Sequence, residues 1–180
     1  MGKEPEAPAA QGPSPIMIVT TGGTIDKLYF DAKSEFQVGA PQIGQLLAEA
    51  NVGVPFEVHP LLHKDSLDLT GADRELIAEK VRSLPAQRFL ITHGTDTMLQ
   101  TALLLEERVR DKVIVLVGAM QPALIRNSDA FFNIGFAFAA AQLLGPGSYV
   151  AMNGRVFRPR ETRKNRELGR FEPLVPGASS

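Results

Sequence analysis

The chain has 180 residues, of which 44% are hydrophobic and 22% charged, a composition that supports one domain with a substantial core. Its 19 basic and 20 acidic residues give a net charge of −1, so no overall field favours nucleic acid or an acidic membrane surface. The absence of cysteine excludes disulfides, thiol nucleophiles and thiolate metal ligands.

The two ends of the chain differ in composition from the middle. Residues 1–15 are rich in Pro, Ala, Gly and Glu and lack the apolar segment of a secretory signal, so we expect a disordered leader. We expect residues 172–180 to form a loose tail. Because no apolar run has the length of a membrane span, we expect a cytoplasmic protein without membrane contact.

Between these ends, short apolar runs alternate with helical patterns. In chain order the predicted elements are strands at 16–20 and 36–38, a helix at 41–51, a strand at 56–62, a helix at 72–84, a strand at 88–92, a helix at 97–109, a strand at 112–117, a helix at 130–144 and strands at 149–152 and 155–157. Continuous apolar strands are typical of parallel sheets, so the pattern predicts an open α/β sandwich forming a single domain over residues 16–171.

Two helix starts and one apolar face follow from local patterns. Thr70 is expected to cap the helix at 72–84, with Asp73 three residues on, and residues 127–129 (Asn-Ser-Asp) are expected to cap the helix at 130–144. The phenylalanines of that last helix are expected to pack in the core: Phe131, Phe132, Phe136 and Phe138.

Two glycine-containing loops follow predicted strands and carry similar side chains. TTGGTID (20–26) follows the first strand, and THGTDT (92–97) follows the strand at 88–92. In open α/β sheets, ligands bind outside the carboxyl ends of the strands, where both loops are expected. The adjacent Gly22 and Gly23 can adopt backbone conformations that other residues rarely adopt, and they allow the backbone to approach a ligand closely.

Three interpretations of these loops differ in chemistry. Dinucleotide and Walker-type phosphate binding require G-x-G-x-x-G or G-x-x-x-x-G-K-[ST], and neither pattern is present. Nucleophilic catalysis requires a hydroxyl with a base: Thr24 could act with Thr95, Asp96 and a lysine of lowered pKa, with backbone N–H groups of the glycine turn as oxyanion donors. Alternatively, these are ordinary loop residues that bond their own backbone.

The histidines give two weaker hypotheses. His59 and His63 have a spacing that binds zinc on a helix, but the proline between them disfavours a helix. His93 is expected to bond loop backbone. Its alternative role is a base between Ser66 and Asp96, for which no G-x-S-x-G turn is present.

The segment 155–170 is strongly basic, and most of its charges are arginines. We expect most of them to form a solvated surface. A subunit interface is an alternative because arginine is enriched at interfaces. A nucleic-acid patch is poorly supported because aromatic residues are not interleaved with the charges, and we expect no nucleic-acid partner.

Three stretches together resemble a known family. TGGTI, THGTDTM and VLVGAMQP occur in this order and are similar to motifs of the bacterial-type L-asparaginases, to which glutaminase-asparaginases and tRNA-dependent amidotransferase subunits are related. The resemblance implies a flavodoxin-like open, mostly parallel sheet with helices on both faces. It also implies an amidohydrolase that converts L-asparagine and water into L-aspartate and ammonia without a cofactor or metal.

The resemblance assigns catalytic roles by position. The family's nucleophilic threonine, which forms the acyl-enzyme, corresponds to Thr24, and its second threonine and neighbouring aspartate correspond to Thr95 and Asp96. Its catalytic lysine lies eleven residues after the asparagine of a Met-Asn pair, which gives Lys164 here. A tyrosine in the loop after the first motif, which orients the nucleophile, corresponds to Tyr29.

The resemblance also implies a set of substrate-binding residues. The family's carboxylate-binding serine corresponds to Ser66, with Asp65 beside it, and the alanine of the G-A-M motif, Ala119, lines the amide pocket. Gly23 and Gly94 bring the two loops against the substrate.

The chain also departs from the family pattern. Most members carry a second domain that contributes an acidic residue to a neighbouring subunit's site, so we expect a short-chain member and a homo-oligomer. Arg163 replaces the threonine that usually precedes the lysine, and it is a second candidate for the lysine's role. Two other functions stay open: a related small-amide hydrolase of the glutaminase type, and a non-catalytic module that binds an amino acid.

Overall fold

The computed structural model describes residues 14–30 and 35–174. The strands are β1 (Ile16–Gly22), β2 (Lys27–Phe30), β3 (Glu35–Val38), β4 (Phe56–Lys64), β5 (Arg88–Thr92), β6 (Val113–Val117), β7 (Gly147–Met152), β8 (Arg155–Phe157), β9 (Thr162–Asn165) and β10 (Arg170–Pro173). The helices are α1 (Ile43–Glu49), α2 (Gly71–Ser83), α3 (Met98–Arg108) and α4 (Ala130–Leu143).

Six of these strands form one sheet in the order β4-β1-β5-β6-β7-β8. The first five are parallel, and β8 returns antiparallel to β7. The parallel strands therefore follow the flavodoxin-like order 2-1-3-4-5, and the chain reverses its direction of travel across the sheet between β1 and β5. The predicted open, mostly parallel α/β sheet is confirmed.

The central strands are buried along their length. Every residue of β1 and β6 is buried, as their continuous apolar runs predict for strands covered on both faces. β4 lies at the edge of the sheet, which is where a strand tolerates a proline, and it continues past Pro60 to Lys64.

The helices pack in two pairs. Arg108 of α3 forms an ion pair with Glu75 of α2 at 2.8 Å, whereas α1 and α4 share an apolar groove that includes Leu46 and Phe138. Both α3 and α4 pack on β6 and β7 of the sheet. The core prediction is wrong at Phe131 and Phe132, which are 52% and 63% exposed; Phe131 lies at the rim of the groove shared with α1.

The start of α2 forms as predicted. The Thr70 hydroxyl accepts a hydrogen bond from the Asp73 N–H at 3.2 Å, and the Asp73 carboxylate accepts one from the Thr70 N–H at 2.8 Å. Lys64, at the end of β4, donates to the same carboxylate at 2.9 Å. The capping box therefore also fixes the end of the edge strand.

Two small antiparallel hairpins lie outside the main sheet. β2 pairs with β3, and β9 pairs with β10. Of these four strands, the sequence predicted only β3. β9 and β10 have no apolar period and are joined by cross-strand bonds, such as the ion pair between Arg163 and Glu172 at 2.7 Å. β10 also runs to Pro173, two residues into the segment expected to be a tail.

The remaining expectations on the chain ends concern residues 1–13 and 175–180, which lie outside the described residues. Within the described part of the chain, no helix is both long and apolar enough to cross a membrane.

Candidate active site

The loops after β1 and β5 touch each other at the point where the sheet order reverses. Gly23 has a φ of 90°, and a Cβ atom added there would lie 2.4 Å from the Gly94 nitrogen. Only glycine permits this backbone and this approach. Thr24 and Thr95 each follow one of these glycines directly, so the contact brings the two predicted threonines to the same end of the sheet.

The loop after β4, which contains Ser66, packs against the loop after β5. A Cβ atom added to Gly94 would lie 2.6 Å from both Cβ and Oγ of Ser66, so these two loops are also in contact. Ser66 is buried, and its hydroxyl has no hydrogen-bond partner among the described residues. Unpaired buried hydroxyls cost free energy, so this group is suited to bonding a ligand in the cleft.

Asp65 is already engaged by the protein. Its carboxylate lies 2.7 Å from the Lys27 ammonium and accepts a hydrogen bond from the Leu67 N–H at 3.2 Å. Partial burial on its own would raise the pKa of Asp65, but the hydrogen bonds from Lys27 and backbone N–H groups outweigh it and lower the pKa. The substrate-binding role expected for Asp65 stays a prediction; in the structure it links β2 to the Ser66 loop.

Lys164 completes the cluster from the β9–β10 hairpin. Its Nζ donates to Thr95 Oγ1 at 2.8 Å and to Asp96 Oδ1 at 2.9 Å. Thr95 is buried, and the Lys164 side chain is 14% exposed. A hydroxyl, an ammonium group and a carboxylate are thus joined in one hydrogen-bonded chain. Arg166 approaches the same carboxylate from the solvent side at 3.7 Å.

The second candidate for the lysine's role, Arg163, does not reach the cluster. Adjacent residues of a strand point to opposite faces, and Arg163 bonds Glu172 at 2.7 Å instead. Other arginines of the basic segment have individual neighbours: Arg160 pairs with Glu106 at 2.7 Å, and Arg158 lies 4.5 Å from the centroid of the Tyr149 ring. These local pairings agree with the expected charged surface.

The loop after β6 forms the wall that contains Ala119, which is fully buried. A Cβ atom added to Gly118 would lie 2.6 Å from the His93 carbonyl oxygen, so this loop is packed directly against the β5 loop. Met120 Sδ lies 3.9 Å from Thr95 Oγ1. The loops that carry Ala119 and Thr95 are therefore packed against each other.

The expected capping role of residues 127–129 is wrong in one respect. Asp129 occupies the N-cap position of α4, but its carboxylate makes no bond to the first turn. It accepts hydrogen bonds from the N–H groups of Met120 and Gln121, each at 3.0 Å. The Ser128 hydroxyl bonds the Ala130 N–H at 3.1 Å instead.

The structure decides between the two hypotheses for His93. Its Nδ1 bonds the Gly94 carbonyl at 2.7 Å and its Nε2 bonds Thr101 Oγ1 at 2.8 Å, so both ring nitrogens are occupied away from Ser66 and Asp96. Complete burial lowers the pKa of His93 to about 4, which keeps the ring neutral. The structural role is confirmed, and the Ser–His–Asp alternative is wrong.

The zinc hypothesis gains no support. His59 and His63 lie on the strand β4 rather than on a helix, and His63 Nδ1 is 3.3 Å from the Gly39 carbonyl oxygen. The described residues contain no group of three or more His, Asp or Glu side chains that could hold a metal ion.

Two groups expected to act on the substrate or the nucleophile remain: the Gly23 N–H and the Tyr29 side chain. The Gly23 N–H donates to the Lys64 carbonyl at 3.1 Å, so it is not free to act as an oxyanion donor. The side chain of Tyr29 lies outside the described residues, although its backbone forms part of β2.

Sequence reasoning missed one buried acid in the segment that follows β1. Asp26 is buried, its Oδ1 accepts from the Gln42 N–H at 2.9 Å, and its Oδ2 has no partner among the described residues. Its carbonyl oxygen accepts from the Gly39 N–H at 2.7 Å, which closes the base of the β2–β3 hairpin. Burial raises the pKa of Asp26 to about 6. The one sequence signal that could have identified Asp26 is its position in the motif TGGTID.

The fold and the cluster define a class: an α/β domain with a hydroxyl–ammonium–carboxylate chain at the switch point of a flavodoxin-like sheet. The family model for "Asparaginase, N-terminal" matches residues 15–170. The chain therefore belongs to the asparaginase family, as its motifs imply.

Individual relatives agree. The chain is 30% identical to an L-asparaginase of Thermococcus kodakarensis over 86% of its length, and 33% identical to L-asparaginase 2 of Escherichia coli K12 over 83%. It covers 48% and 46% of those two proteins, so it spans about half the length of the relatives it matches.

Solved structures give the same result. A thermostable L-asparaginase from Thermococcus kodakarensis superposes with a TM-score of 0.79 at 29% identity, covering 88% of this chain and 50% of that one. L-asparaginase I from Vibrio cholerae has the same TM-score at 28% identity, covering 90% of this chain and 52% of that one.

Proposed function

We propose that this protein hydrolyses the side-chain amide of L-asparagine to give L-aspartate and ammonia. The observation that carries the proposal is the bridge of Lys164 Nζ between Thr95 Oγ1 and Asp96 Oδ1, beside the loop that bears Thr24. Family membership adds support, since the relatives matched over most of the chain are named asparaginases or glutaminase-asparaginases.

The proposed reaction has two steps. The Thr24 hydroxyl attacks the amide carbon, and its proton is relayed through Thr95 and Lys164 to the leaving nitrogen. Ammonia departs and an ester between Thr24 and the aspartyl group remains. A water molecule then attacks the ester, with the same groups moving its proton, and releases aspartate.

Asp96 has two tasks in this mechanism. Its carboxylate holds the Lys164 side chain in reach of Thr95, and its second oxygen is placed to bind the substrate's α-ammonium group. The buried Ser66 hydroxyl is the proposed partner of the substrate α-carboxylate, because it lacks a bond within the described residues. Ala119 and Gly94 line the space for the amide. A role for Tyr29 in orienting Thr24 is part of the proposal.

The test is ammonia release from a panel of amides by the wild type, Thr24→Ala and Thr24→Ser. We expect Thr24→Ala to lose nearly all activity and Thr24→Ser to keep part of it, because only serine retains a nucleophile. Thr70→Ala, a helix cap outside the cleft, serves as the control. Near-normal asparagine hydrolysis by Thr24→Ala would overturn the assignment of the nucleophile.

The same panel separates the alternatives. A higher kcat/KM for glutamine or another small amide than for asparagine would favour the related amidase. Tight aspartate binding with no ammonia release from any amide would favour the binding module. This alternative is kept because the chain spans about half the length of the relatives it matches.

Assembly and location are proposals as well. A homo-oligomer is proposed from the resemblance, and light scattering on the purified chain would test it. The cytoplasm is proposed as the compartment. One structural neighbour is titled a probable cytoplasmic L-asparaginase from Campylobacter jejuni, whereas a Haemophilus influenzae relative is named as periplasmic. Fractionation of the source cells would decide between them.

A further inference from the structure

Two parts of the proposed site, the loop after β6 and the hairpin that carries Lys164, are linked by hydrogen bonds through one buried side chain. Asn133 lies in the second turn of α4 and is 1% exposed. It makes no contact with the Lys164–Thr95–Asp96 chain itself. Its amide nevertheless bonds groups from three separate segments.

The first branch leads to the β6 loop. Asn133 Nδ2 donates to the Gly118 carbonyl at 3.2 Å and to Asp129 Oδ2 at 2.8 Å. Asp129 in turn accepts the N–H groups of Met120 and Gln121. The backbone on both sides of Ala119 is therefore held by the first two turns of α4.

The second branch leads to the lysine. Asn133 Oδ1 accepts from the Asn153 N–H at 3.2 Å, and Asn153 Oδ1 accepts from the Phe171 N–H at 3.0 Å. Phe171 is the residue directly opposite Lys164 in the β9–β10 pair. The hairpin is a two-stranded element outside the main sheet, and such hairpins are marginal alone, so its position depends on this bond as well as on burial of Phe171.

We propose that Asn133 is a positioning residue, which couples the β6 loop to the β9–β10 hairpin and so sets the distance between Lys164 Nζ and Thr95 Oγ1. Both amide donors and its carbonyl acceptor are used in this task. The kinetic part of the inference rests on the proposed amide hydrolysis, whereas the coupling itself does not.

Asn133→Leu tests the coupling through Asn133. Gln142→Leu, at an exposed position of the same helix, is the control. We expect Asn133→Leu to lower kcat about 10–100-fold with KM for asparagine nearly unchanged, because a small misplacement of a catalytic group acts on the transition state. Amide hydrogen exchange should speed up at both Met120 and Phe171 but not at Val115 in β6. Gln142→Leu should change none of these.

Asn153 gives a second test that avoids a buried cavity. Its φ is 54°, which glycine and aspartate both tolerate. Asn153→Gly keeps the N–H bond to Asn133 but removes the bond to Phe171, so we expect a lower kcat and faster exchange at Phe171 alone. Asn153→Asp retains the acceptor and should keep most of the rate.

The outcomes are distinguishable. Unchanged exchange at Met120 and Phe171 in Asn133→Leu overturns the coupling, and a lower melting temperature with unchanged kcat at assay temperature overturns the positioning role. Equal rates in Asn153→Gly and Asn153→Asp overturn the hairpin branch. If the wild type releases no ammonia, the proposed function fails, and the exchange measurements still decide the coupling.

Discussion

The loops at the end of the parallel sheet and the β9–β10 hairpin both supply the cluster, but different forces hold them in place. The sheet loops are fixed by backbone contact, since Gly23, Gly94 and Gly118 each lie where an added Cβ would collide with a neighbouring loop. The hairpin is held by burial of Phe171 against Phe157 and by side-chain hydrogen bonds, of which those of Lys164 to Thr95 and Asp96 are the most direct. A substitution in the first region should therefore damage fold and activity together, whereas one at the hydrogen-bonding side chains of the hairpin should damage activity alone.

The variant that best distinguishes the two regions by their effects on activity and stability is Lys164→Met. We expect kcat/KM to fall about 10²–10⁴-fold, the usual contribution of a positioned acid–base group. Stability should change by less than about 1 kcal/mol, because the ion pair is partly exposed and worth little to folding. Urea denaturation and ammonia release on the same samples measure both quantities.

Arg163→Met is the matched control for Lys164→Met, since it removes the neighbouring cation of the same strand. Its side chain bonds Glu172 on the outer face, so activity should stay within about threefold of wild type, as for surface changes away from a site. Loss of activity in Arg163→Met with retention in Lys164→Met would reverse the assignment.

Gly94→Ala tests the first region. The added methyl group would lie 2.6 Å from Ser66, so the two loops must move apart. We expect a loss of about 1–3 kcal/mol of stability, as for overpacking elsewhere, together with a large drop in activity. Both are measurable by thermal melting and ammonia release.

Gly135→Ala is the control for Gly94→Ala, because nothing lies within 4 Å of a Cβ atom at that helical position. It should be stabilising by up to about 1 kcal/mol through helix propensity. If Gly94→Ala proved as stable and active as Gly135→Ala, the backbone contact would not be what holds the sheet loops.

Asp26→Asn acts on stability through pH. Between pH about 4 and 6 the folded protein keeps a proton on Asp26 while the unfolded chain has lost it, so stability falls as pH rises through that window. Above pH 6 the full cost applies, at most about 3 kcal/mol for a shift of this size. Asparagine keeps an acceptor for the Gln42 N–H without the charge.

We therefore expect Asp26→Asn to be more stable than wild type at pH 7.5 and to lose most of that gain at pH 4.5, as measured by urea denaturation at both pH values. Asp68→Asn, at an exposed position, is the control. An equal gain at the two pH values would mean that burial of the Asp26 charge is not its source.

The elements with a strong pattern were predictable from sequence. β5 and the start of α2 form where predicted, because a continuous apolar run and a cap residue act locally. The meeting of the two threonine loops followed from the general rule on carboxyl ends of parallel strands, whereas the flavodoxin-like order of the strands was implied only by the resemblance.

The remainder depends on contacts between distant residues, which a single sequence does not reveal. β9 carries four polar or charged residues and is held by its pairing with β10, in which Arg163 bonds Glu172 and the Phe171 N–H is bonded by Asn153. Asp129 looks like an ordinary helix cap, and its bonds to Met120 and Gln121 appear only once the β6 loop is folded over it. Lys164 was found through the resemblance and not through any local pattern.

The contact between Gly23 and Gly94 has a consequence for the order in which the molecule assembles. It joins positions separated by all of β2, β3, α1, β4, α2 and β5, and such distant pairings form late because a long loop must first be closed. During synthesis on the ribosome, the loops after β1 and β5 cannot come into contact until β5 has been synthesised and paired with β1. In refolding experiments the recovery of activity should therefore coincide with the slowest structural phase, and no partly folded species should be active before it.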